Sequence, residues 1–84
     1  MDQQLFLFYL QEYTLKALAE TGDNVPLAAD YLDKISKPRF YTKNYQEKKA
    51  ALDRAIKVFS ASRERSLYVV LKSLGFDDLA KEKL

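Results

Sequence analysis

The sequence predicts an all-α protein, a compact bundle of four to five helices in a single domain spanning residues 1–84. Three observations predict it. Apolar residues recur at three-four spacing in several separate windows, the period of one helix face. Only two Gly and two Pro interrupt 84 residues, and they fall at the edges of those windows. No window alternates apolar and polar with the period of two that a half-buried strand requires.

The first helix is expected from Gln3 to Glu20, with Phe6, Tyr9, Leu10, Tyr13 and Ala17 on one face. Leu5, Leu7, Phe8, Leu15 and Leu18 widen that stripe nearly all the way round. Such a helix needs cover on more than one side, from the rest of the fold or from a second copy. Gly22 suits a left-handed C-cap and Asn24 an N-cap, with Pro26 in the first turn of the next helix. That second helix is expected from Val25 to about Lys34, turning Leu27, Ala28, Tyr31, Leu32 and Ile35 inward. Ser36-Lys37-Pro38 repeats the same start pattern and predicts another helix there. From Thr42 to Ser60, Tyr45, Leu52, Ala55, Ile56 and Phe59 share one face. Ser60-Ala61-Ser62 breaks the pattern, and Ser62 with Arg65 makes half a capping box. The last long helix carries Leu67, Val70, Leu71 and Leu74, closes at Gly75 with Phe76 in a Schellman contact, and leaves Asp77 or Asp78 to cap a final turn.

The net charge of +2 hides an asymmetry. Residues 1–32 set Lys16 against Asp2, Glu12, Glu20, Asp23 and Asp30, a balance of −4. Residues 33–57 hold eight Lys or Arg against Asp33, Glu47 and Asp53, a balance of +5. A basic middle behind an acidic front points to a partner, which the bare total does not.

Catalytic apparatus is hard to find. Cys and His are both absent, which removes disulfides, thiolate sites, a Cys nucleophile and the commonest general base and metal ligand. Asp77-Asp78 and Asp30/Asp33 read as caps and solvated charge. There is no Gly-rich phosphate loop. The expectation is a protein that is not an enzyme and uses no cofactor and no metal. The longest apolar run, Leu5 to Leu10, has six residues, against the roughly 18 of a membrane span. Met1-Asp2-Gln3-Gln4 lacks the basic start of a signal peptide. A soluble, cytoplasmic protein without a membrane span is expected.

Residues 18–43 carry Gly22, Asn24, Ala28, Ala29, Leu32, Ile35, Ser36, Phe40, Tyr41 and Lys43. This set resembles the helix-turn-helix of the Fis type, also found at the C-terminus of nitrogen-regulator-type activators. The resemblance implies that Ser36 caps a recognition helix and that Leu32, Ile35 and Phe40 fill the angle between two helices. Lys37 and Arg39 would reach phosphates or base edges, and Lys43, Lys48 and Lys49 would follow the backbone. A second placement, over residues 42–75, is similar to the phage-repressor and addiction-antidote helix-turn-helix. It makes Asp53 to Phe59 the recognition helix, with Arg54 and Lys57 outward.

The plain alternative is that residues 34–57 are a loop and the solvated side of an amphipathic helix. Tyr41 and Tyr45 stand out because they lie among the lysines. The expected function is therefore DNA binding by a small regulatory homodimer, through Lys37, Arg39, Tyr41, Lys43, Lys48, Lys49, Arg54 and Lys57. The rival is a protein-interaction module, an inhibitor, adaptor or immunity factor, acting through Leu5, Leu7 and Phe8 of the first helix. Those three residues serve equally as the dimer seam that a two-fold DNA binder needs.

Overall fold

Asp2 opens the first helix. Its carboxylate accepts from the backbone N–H groups of Gln4 (2.9 Å) and Leu5 (3.2 Å), satisfying two of the donors orphaned at a helix start. In the computed structural model, which describes every residue from Met1 to Leu84, α1 runs Gln3–Thr21. It stops at Gly22, whose left-handed backbone (φ 61°) lets the Gly22 and Asp23 N–H groups both reach the Leu18 carbonyl. Asn24 then caps α2 (Val25–Lys34) by accepting from the Leu27 N–H at 2.9 Å, with Pro26 in the first turn.

The chain continues into α3 (Tyr45–Ala61), α4 (Leu67–Ser73) and α5 (Asp77–Glu82). Ser66 caps α4, accepting from Val69 at 3.3 Å; Ser62, half of the expected capping box, instead ends α3. After α4, Gly75 turns left-handed (φ 90°) and the Phe76 N–H donates to the Leu71 carbonyl at 2.9 Å. Asp77 and Asp78 are first-turn residues of α5, not caps. There they favour the positive end of the helix dipole, and Asp77 lies 3.5 Å from Lys72.

Two expected helices do not form. Residues 35–44 are an irregular connection, so Ser36 caps nothing. Phe40, Tyr41 and Thr42 in succession are poor helix formers, and a piece this short survives only when packing supports it. Pro38 also biases Lys37 toward extended backbone. Nor does a separate recognition helix begin at Asp53. Ala50 and Ala51 favour helix, so α3 passes through them without a turn.

One cluster of 15 buried apolar residues, drawn from all five helices and the turns beside them, forms the core. Phe59, Leu10, Leu32, Leu52 and Leu71 are its largest members. Ala17, Ala28, Ala29, Ala51 and Ala55 are fully covered, small residues where helices approach closely. α3 is central, packing on α1, α2 and α4. Arg63, just past its end, reaches back to Asp30 (2.7 Å) and the Pro26 carbonyl (3.3 Å) on α2. Lys83 ties the end of the chain to Asp23 at 2.9 Å. No helix is long and apolar enough to cross a membrane.

Candidate nucleic-acid interface

The stretch Lys34 to Gln46 contains four cations and not one carboxylate. Most of it is the connection between α2 and α3, and two side-chain contacts hold that connection. Near its start, Lys37 Nζ donates to Asp53 on α3 at 2.9 Å. At its end, Asn44 adopts left-handed backbone (φ 60°), which Asn tolerates better than most residues. The Asn44 side chain does not cap its own helix. Its amide donates instead to the Tyr9 hydroxyl of α1 at 3.0 Å. Between these anchors Thr42 closes a tight turn, its backbone N–H (2.9 Å) and its hydroxyl (2.7 Å) both donating to the Arg39 carbonyl.

That turn presents two aromatic rings to solvent. Phe40 is 81% exposed and Tyr41 67%. The expectation that Phe40 fills the angle with Leu32 and Ile35 is therefore overturned: Leu32 is buried, Ile35 is half-buried, and Phe40 stands outside. The rings meet edge to face, centroids 5.7 Å apart. Arg39 Nη1 donates to the Tyr41 hydroxyl at 3.1 Å.

The eight cationic and aromatic side chains expected to act together fall into two groups. Arg39, Tyr41, Lys43 and Lys48 gather at the tip of the connection and the start of α3. Lys48 lies over the Tyr9 ring, 5.5 Å from its centre, a cation–π contact. The other group is spread more widely: Lys37 lies on the connection and reaches α3 through Asp53, and Lys49, Arg54 and Lys57 follow along that helix. At about 100° per residue, Lys49 and Lys48 point to different sides of the helix. Asp53 neutralises part of this second group, lying 2.9 Å from Lys37 and 3.0 Å from Lys49. Lys43, Arg54, Lys57 and the Arg39 guanidinium have no carboxylate within ion-pair distance.

The hydrogen bonds from Lys37 and then Lys49 hold the Asp53 carboxyl below its ordinary range. The same contact raises Lys49. A carboxylate whose pKa is depressed in the fold stabilises at neutral pH, and that contribution disappears as the pH falls through the carboxylate range. Asp53→Asn should remove this acid-labile part of the stability. Its melting temperature at neutral pH should barely change, because exposed ion pairs contribute little. Lys37 and Lys49 would be released, and the log–log salt slope for binding a polyanion such as heparin should steepen by about one to two. An unchanged slope would mean that neither lysine faces the ligand.

Facing the connection, α1 supplies Phe8, Tyr9 and Tyr13. Together with Pro38, Lys16 and Lys48 they border a cleft of about 370 Å³. Phe8 and Tyr9 are packed edge to face at 5.3 Å. Burial, and secondarily Tyr9, raises the Tyr13 phenol. Glu12 is the one carboxylate on the cleft. Of the three residues expected to form a partner surface, Leu7 and Phe8 are exposed while Leu5 is half-buried. Sequence reasoning missed the cleft, because nothing local links Tyr9 to Asn44.

Comparison of the chain with protein-family models, with curated proteins and with solved structures finds no match.

Proposed function

We propose that this chain is a DNA-binding protein whose contact face is the carboxylate-free connection 34–46 with the exposed cations of α3. The supporting observation is Arg39 and Lys43, unpaired with carboxylates and flanking in sequence the two solvent-facing rings of Phe40 and Tyr41, with Lys48 nearby on α3 also free of a carboxylate. Cations left free of carboxylate partners attract phosphates, and the release of counterions from the nucleic acid drives the association. Arg39 adds a planar fork suited to phosphate oxygens. A regulatory role and a homodimer seamed by Leu7 and Phe8 belong to the same reading.

The experiment is a fluorescence titration with DNA at several salt concentrations. Three or four phosphate contacts should give a log–log slope of about −3 to −4 on duplex. Arg39→Ala and Lys43→Ala should each flatten it by about one. Absence of binding to any DNA at low salt would sink the proposal.

A second reading is favoured by the exposed apolar residues Leu7 (46%), Phe8 (55%) and Leu15 (38%) on α1. Leu7 and Leu15 stand two helical turns apart on one side, with Phe8 next to them. In this reading a protein partner covers that stripe, and Leu7→Asp with Phe8→Asp abolishes its capture without affecting DNA.

A further inference from the structure

We infer that the nucleic acid this face accepts is single-stranded DNA, with bases stacked on Phe40 and Tyr41, and not the groove of a duplex; the inference rests on the DNA-binding reading above. A major-groove reader presents a projecting helix or a two-stranded ribbon with its side chains free. Here the segment that carries the cations is an irregular connection with a tight turn, and Lys37 of that connection and Lys49 of α3 are both drawn onto Asp53. What the segment offers is ring surface. An edge-to-face pair leaves ring faces open that an offset stack would cover. Bases inside a duplex already have both faces stacked, whereas a single strand exposes them to an aromatic side chain.

The surroundings fit the same ligand. Arg39 and Lys43 flank the rings in sequence, so a backbone following the turn meets a cation on either side of the stacked base. The cleft beneath has aromatic walls from Phe8, Tyr9 and Tyr13, and Lys16 and Lys48 at its border. Its volume, about 370 Å³, lies at the lower end of the range for small-ligand pockets, suited to one unstacked base. Thr42 donates to the Arg39 carbonyl and the Asn44 amide to Tyr9, so neither donor is turned to a ligand.

The test uses the full chain and labelled oligo-dT of about twelve nucleotides, the same length as a dT·dA duplex, oligo-rU, and polyglutamate as competitor. Oligo-dT should bind more tightly than duplex. Phe40→Ala with Tyr41→Ala should weaken oligo-dT about tenfold or more while leaving the salt slope unchanged. Phe40→Leu, which keeps apolar surface but removes the ring, should lose part of the same affinity. Both side chains are exposed, so the circular dichroism melt should be unaltered. Duplex binding as tightly as oligo-dT, an unchanged double variant, or tighter binding of oligo-rU would overturn this inference and leave the DNA reading standing. Polyglutamate displacing oligo-dT at matched charge would overturn this inference, and no oligonucleotide bound at low salt would overturn both.

Discussion

Phe59→Ala lowers the unfolding free energy by about 3–5 kcal/mol. The Phe59 side chain is fully buried on α3, the helix that packs against α1, α2 and α4. Truncation removes the transfer free energy of the ring and leaves a cavity that Ala55, one turn back on the same helix, is too small to fill. A chain of this size is expected to hold about 4–12 kcal/mol in total, so one substitution removes a large share. Urea titration should show a lower midpoint with an unchanged slope, the sign of altered stability and not of altered compactness. A loss under about 1 kcal/mol would show that Phe59 does not anchor the core.

Leu71→Ala has a comparable cost, about 2–5 kcal/mol, but a different distribution. Leu71 is fully buried in α4, and its carbonyl receives the Phe76 N–H in the turn that leads to α5. α4 and α5 pack chiefly on each other and touch α3 at few backbone positions. Their attachment rests on Val70, Leu71, Leu74 and Ala80, with the exposed Lys83–Asp23 ion pair adding little. Hydrogen exchange on the variant should therefore release the amides of α4 and α5 first, while α1 to α3 stay protected. Uniform loss of protection across all five helices would show that the chain opens as one unit.

The helix boundaries readable in the sequence were those set by local chemistry. Gly22, Asn24 and Pro26 mark the first turn because their effects reach only three or four residues along the chain, and Gly75 with Phe76 closes α4 for the same reason. Ser36-Lys37-Pro38 carries nearly the same start pattern and fails. The difference lies downstream: Pro26 is followed by Leu27-Ala28-Ala29, good helix formers whose two alanines are fully buried, and Pro38 by Arg39-Phe40-Tyr41-Thr42, of which only Arg39 favours helix and none is buried in the core. Of the candidate site, the charge of residues 34–57 was legible, and so was the helix spacing of Lys49 and Asp53. The pairing of Lys37 with Asp53, sixteen residues away, was not. Nor was the contact of Asn44 with Tyr9, thirty-five residues away. Both depend on how α2 and α1 lie against α3, which no local pattern encodes.

Those two contacts bear on rate as well as position. Fixing a backbone residue removes about 1–2 kcal/mol of conformational freedom at ordinary temperature. A loose ten-residue connection would lose that freedom when a ligand landed on it. Here Asn44 on Tyr9 and, to a smaller degree, the exposed pair of Lys37 with Asp53 impose part of that loss during folding. Whatever settles on residues 39–43 meets a preorganised turn, and more of its contact energy survives as residence time on the protein.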